Sequence, residues 1–160
     1  MTNDVFLKSN KNYEQWAPLL LRLIIGFGFM AHGWAKLSTG SPAGFEKLLT
    51  FLDVPFPHFT AWVTSIIELA GGFVILIGFA VRLTVIPLIC IMLVAMFSIQ
   101  IHYGFSSVKT IGLTAQGPQF GPPGYEINLL YIAGLISLMR TGAGVGSVDA
   151  FVANKKRSSF

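Results

Sequence analysis

Apolar and polar positions alternate along this chain in long blocks, and four apolar stretches stand out. Pro18 to Leu37 runs apolar for about the twenty residues a membrane-spanning helix needs. Phe59 to Ala80 and Leu83 to Ile101 are two more, and only Val81 and Arg82 lie between them, which predicts a tight helical hairpin. Pro87 falls about one turn inside the third stretch, where it is tolerated near a helix start or kinks the helix mildly. The fourth, Tyr125 to Met139, is shorter and spans if its helix tilts little or the membrane thins locally. Ser38 to Pro57 reads as a loop with a short interfacial helix at Phe45 to Leu52. His102 to Gly124 is a long Gly- and Pro-rich loop of the kind that covers a site. The expected fold is all-α, an integral membrane four-helix bundle, with residues 1–16 as a cytoplasmic N-terminal segment, 17–140 as the transmembrane domain and 141–160 as a solvated cytoplasmic tail.

Composition fixes the solvent. Of the 160 residues, 53% are hydrophobic and 11% charged, against about 25% charged in a soluble domain. Most of the chain therefore faces lipid. Arg22, His32 and Lys36 interrupt the first stretch and no Ala-x-Ala site follows promptly, so it reads as a retained span rather than a signal peptide. The net charge of +4 does not point to nucleic acid, because the basic residues lie singly between apolar runs with no interleaved aromatic stripe. Their placement instead sets orientation. Lys8, Lys11, Arg82, Arg140, Lys155, Lys156 and Arg157 fall on one side of a four-span arrangement and only Lys36, Lys47 and Lys109 on the other, which puts both termini in the cytoplasm. Trp16, Trp34 and Trp62 fit an interfacial aromatic belt. The single Cys90, inside an apolar run, excludes an internal disulfide, a CxxC redox pair and a multi-thiolate metal site.

Ionisable side chains within a span cost roughly 2.5 to 3.5 kcal/mol at the helix centre, so each is a functional hypothesis. At about 1.5 Å per residue, His32 lies about 7 Å and Glu68 about 13 Å inside the non-cytoplasmic ends of their helices. Lys36, Gln100, His102, Tyr125, Glu126 and Asn128 lie nearer that surface, so one polar cluster is expected in the outer half of the bundle. His32 and Lys36 are four residues apart and share a face, and Arg22 falls within about 80° of His32. Gly26 and Gly33 lie near that face and Gly71 and Gly72 flank Glu68, which lets helices approach closely there. Structural readings stay open beside this: Arg22 can snorkel to the headgroups, Glu68 can pair with Lys36 or His32 as bundle glue, and His102 and Glu126 border the interface, where solvation suits them.

Three blocks carry a family resemblance. Leu19 to Leu37, with Arg22 opening it and His32-Gly33, then Lys36, closing it, resembles the opening signature of the DoxX family. Ile66 to Leu88, with Glu68, Gly71, Gly72 and Arg82, is similar to that family's second block, and Tyr125 to Asp149, with Glu126 and a Gly-rich Ser-x-Asp ending, to its last. The family name is tied to the membrane subunit of a thiosulfate:quinone oxidoreductase. The resemblance therefore implies a bacterial inner membrane protein in which Glu68 and His32 are catalytic, with Glu68 exchanging protons with a quinone whose carbonyls accept hydrogen bonds from His32 or His102. Lys36, Arg22, Gln100, His102 and Glu126 would complete a substrate-binding set, with Lys36 and Lys109 attracting a small anion such as thiosulfate. The chain has no flavin motif or metal-ligand set, so the two substrates meet directly or a partner protein supplies the electron centre. The competing class is a non-catalytic membrane partner or assembly factor. A transporter is disfavoured by the lack of an inverted repeat.

Overall fold

The computed structural model describes residues 15–38 and 42–157. The expected N-terminal segment up to residue 14, with Lys8 and Lys11, therefore lies outside the described residues, as does Gly40. Among the described residues, three helices are long and apolar enough to cross a membrane: α1 (Ala17–Ser38), α3 (Pro57–Ile77) and α4 (Val81–Ser98). Between the first two lies α2 (Ala43–Phe51), and a shorter helix, α5 (Glu126–Thr141), follows a long connection. A sixth helix, α6 (Val148–Arg157), forms where a solvated tail was expected.

The buried positions explain why these segments pair. On α1 they are Pro18, Arg22, Ile25, Gly26, Phe29 and Gly33, and on α3 Ala61, Ser65, Glu68, Gly72 and Ile75. Apart from the adjacent Ile25 and Gly26, both lists step by threes and fours, the spacing of a seam along one helix face. The outer faces carry Ile24, Phe27, Phe73 and Leu83, all exposed and apolar, as lipid-facing surface requires. Lipid offers no hydrophobic drive for helix pairing, so close backbone contact has to supply it. A side chain at Gly26 would lie 2.8 Å from the Gly72 carbonyl oxygen, and one at Gly33 would lie 2.5 Å from the Leu69 nitrogen and 2.8 Å from the Ser65 oxygen. These contacts run antiparallel along a single seam. α1 also packs on α5, α3 on α4, and α4 on α5.

Two connections differ from expectation. The hairpin turn falls at residues 78–80, not at Val81-Arg82, because Gly78 closes α3 in the left-handed region (φ 71°) and Ala80 (φ 44°) precedes α4. Val81 is thus fully buried inside a helix. Pro87 does not break α4, which runs unbroken through it. The His102–Gly124 segment is also more ordered than a loop. It opens with a 3-10 turn (Gln100–Tyr103) and contains an antiparallel hairpin, β1 (Thr110–Thr114) and β2 (Gly117–Phe120), with Thr114 opposite Gly117 and Leu113 opposite Pro118. The chain is therefore mostly helical with one small sheet, rather than all-α.

Candidate functional site

The end of the α1–α3 seam where α1 finishes holds, among the described residues, a buried ion pair. Lys36 extends from the last turn of α1 and its Nζ donates to both carboxylate oxygens of Glu68, each at 2.6 Å. The Glu68 side chain is 6% exposed and that of Lys36 24%. Glu68 lies between the two glycine contacts on α3, at Ser65 and at Gly72, where the helices come closest. α2 covers the pair from above, with the Phe45 ring 4.4 Å from the Lys36 ammonium. A cation over a ring face is stabilised by about 0.5 to 2 kcal/mol, depending on desolvation. The α2 strap is tied to the start of α3 by His58 Nδ1 and Glu46 Oε2 at 2.8 Å. α2 is thus a cover over this pair.

The remaining sequence candidates scatter around this pair. His32 is exposed on the outer face of α1 and does not point into the bundle. It shares a helix face with Lys36, but only the lysine has the reach to cross to Glu68. His102 is exposed, and Gln100 is half-buried with a buried Oε1 that has no hydrogen-bond partner. Glu126 serves the connection: its Oε2 accepts from the Ser107 amide at 3.0 Å. The single cluster expected in the outer half is therefore, among the described residues, one ion pair with its aromatic cover.

Arg22 belongs to a different place. Fourteen residues from Lys36 on the same helix, it lies about 21 Å away at the opposite end. It is completely buried rather than snorkelling, and its Nη2 donates to the Val145 carbonyl at 2.8 Å, under the Gly142–Ser147 turn. Its Nε and Nη1 have no partner. The Ser-x-Asp ending closes the same end. The Asp149 carboxylate accepts from the Ala80 amide at 2.9 Å and the Val81 amide at 3.3 Å, capping α4, while Ser147 Oγ accepts from the Ala150 amide at 3.1 Å and caps α6.

The DoxX profile matches residues 17–101, which contain Arg22, His32, Lys36 and Glu68 and make up more than half the chain. The chain belongs to the DoxX family. CatD of Bacillus subtilis (strain 168), provisionally named an oxidoreductase, is 29% identical over 150 residues, 93% of this chain and 96% of its own. No solved structure gives a significant match. The DoxX match ends before α5, so the last block of the resemblance lies outside it. One buried polar residue had a weaker sequence signal than its placement warrants. Asn128 is 1% exposed, its Nδ2 donates to the Met92 carbonyl at 3.3 Å, and its Oδ1 is buried without a partner. The contacts of Gly28 with Tyr131 and of Gly134 with Ile25 set the register of α5 against α1, and put Asn128 at the depth of Glu68 in this DoxX chain. Its position in the first turn of a short span made it look like an interfacial residue.

Proposed function

We propose that this DoxX protein is a quinone-linked oxidoreductase subunit of a bacterial plasma membrane, a four-helix transmembrane bundle with both termini cytoplasmic, in which Glu68 is the proton-exchanging group. The observation that carries the reading is the Lys36–Glu68 pair: a buried carboxylate held by a cation at one point of an otherwise apolar seam. Such a pair is costly within a membrane, and ionisable groups retained there are by default functional. The oxidoreductase name of the Bacillus relative supports the same class.

The residues present fit a quinone head group. A quinone carbonyl needs a hydrogen-bond donor, and the hydroxyl that replaces it on reduction needs an acceptor. Lys36 supplies the first and Glu68 the second at one location, and the partnerless Oδ1 of Asn128 adds an acceptor at the same depth. Bound there, a quinone would take up two electrons and two protons. Glu68 takes up a proton from the aqueous side and passes it to a quinone oxygen, once for each of the two protons. Lys36, partly exposed toward the outer surface, holds the carboxylate in position between deliveries. His32, facing lipid one turn below Lys36, offers a ring donor to a head group arriving laterally. A small reduced anion such as thiosulfate supplies the electrons, directly or through a partner protein.

One observation favours the second class. Lys36 and Glu68 satisfy each other with two hydrogen bonds, which is also the geometry of helix–helix glue in a non-catalytic membrane partner. Thiosulfate-dependent reduction of a soluble quinone analogue in proteoliposomes, with any copurifying partner retained, separates the two. Glu68→Gln lowers turnover by about a hundredfold or more, the usual loss when a proton-transfer group is removed, and His32→Ala lowers it less. Arg82→Ala, in an exposed position at the other end, leaves it near wild type. A wild-type preparation that neither turns over nor retains quinone hands the reading to the membrane partner.

A further inference from the structure

The C-terminal helix α6 is amphipathic in an unusual place. Val148, Phe151 and Val152 sit at i, i+3 and i+4, so they form one face, and all three are exposed, Phe151 at 71%. The opposite side carries Asp149 and Ala150, which line the groove against Gln15 and Pro18 at the start of α1. The sequence ends the helix on Lys155-Lys156-Arg157. An apolar stripe followed at once by a basic cluster fits a helix that lies in the plane of a membrane surface with its charges among anionic headgroups.

The start of α6 is fixed at a defined depth. The Val145 amide donates to the Gln15 carbonyl, and Asp149 is bonded to the first amides of α4, so the helix begins at the level where α1 and α4 leave the membrane. Exposed Trp16 marks the same level, as an interfacial tryptophan does. From that point the 10-residue helix extends about 15 Å. Directed away from the bilayer, it would leave Phe151 in water and carry the basic end beyond the ~10 Å screening distance at 0.1 M salt. Directed inward, it would bury three cations in hydrocarbon. Only the in-plane course satisfies both ends.

We propose that α6 lies along the membrane surface, with Val148, Phe151 and Val152 in the acyl boundary and the basic end of its sequence at the level of anionic phospholipid headgroups. This placement stands whether or not the chain handles quinone.

The test uses the full chain with Cys90→Ala, so that a probe reports from one position only. Phe151→Cys carries an environment-sensitive fluorophore, and Ala153→Cys, on the opposite side of α6, serves as the reference. The protein is reconstituted into phosphatidylcholine vesicles with or without phosphatidylglycerol, each containing lipids spin-labelled near the headgroup. The expected result is stronger quenching at 151 than at 153, rising with phosphatidylglycerol. In the Lys155→Gln/Lys156→Gln/Arg157→Gln variant the bound population falls by about fivefold for each charge removed. Val152→Cys repeats the measurement in case loss of the Phe151 ring loosens the helix. Equal water-like emission at 151 and 153 overturns the proposal. So does a probe at 151 that is shielded from water yet unquenched, since a second copy or another segment of the chain then covers the face. Quenching that ignores both phosphatidylglycerol and the triple substitution overturns the assignment to anionic headgroups.

Discussion

At the scale of single residues, the buried ion pair makes a prediction that a list of contacts would not. Glu68→Ala leaves the Lys36 ammonium without its partner at the edge of an apolar seam and destabilises by about 3 to 5 kcal/mol, the cost of breaking a buried pair from one side. Replacing both, as Lys36→Met with Glu68→Leu, removes the charges together and costs less than Glu68→Ala alone, because no orphan remains. Thermal unfolding in mild detergent ranks the two, and a double substitution less stable than the single would mean that the pair contributes more than charge compensation. Glu68 and Lys36 were legible in the sequence because a charge inside an apolar run is conspicuous and costly. His32 was misread for a physical reason. A helical wheel fixes the direction of a Cβ, but not whether a neighbouring helix stands there or whether the side chain is long enough to reach it. Lys36 has four methylenes to cross the seam; His32 has one.

At the scale of elements, two adjacent glycines separate packing against backbone from packing against side chain. A methyl at Gly72 would lie 2.7 Å from the Gly26 oxygen and 2.7 Å from the Met30 nitrogen, which cannot yield without moving α1. At Gly71 the nearest atom is the Leu88 Cδ2 at 3.1 Å, the end of a flexible side chain. Gly72→Ala therefore destabilises by about 1 to 3 kcal/mol, as overpacking does. Gly71→Ala gains up to about 1 kcal/mol in helix propensity, which offsets the crowding and leaves stability near wild type. Unfolding midpoints for the two variants decide it, and equal losses would put the close approach elsewhere. The spans themselves were legible because bilayer thickness dictates their length. The turn was placed three residues late because Phe79 and Ala80 are apolar and gave no sign that the backbone turns there. The β1–β2 hairpin was missed because Gly and Pro at its ends read as loop, and α6 because its apolar face is only three residues wide.

For the whole molecule, α5 sets the number of crossings. Its 16 residues extend about 24 Å, short of the roughly 30 Å hydrocarbon core. It nevertheless packs against both α1 and α4 and buries Asn128, Leu135 and Leu138, so a spanning α5 sits among partners rather than bare in lipid. With four crossings, a reporter active only outside the cytoplasm is active when fused at Gly117 and inactive after Phe160. With three, the two positions share a side and give the same reading. The reverse of the four-crossing pattern would invert the orientation drawn from the lysines and arginines.

The buried Arg22 also has a history within each molecule. Its guanidinium sits in the first span, while the carbonyls that receive it belong to residues 123 and 124 positions later. At a synthesis rate of about 5 to 20 residues per second, those acceptors emerge roughly 6 to 25 s after Arg22 itself. During that interval the first helix is inserted with a charge that its final surroundings cannot yet receive, and the side chain must rest among headgroups. The turn at Gly142–Ser147 thus completes the first helix, which settles only once residues 142–147 exist. A nascent chain released at Thr141 keeps its spans but leaves Arg22 without acceptors. In a pulse-chase experiment it is degraded faster than the full chain, and Arg22→Met, which removes the waiting charge, narrows that difference.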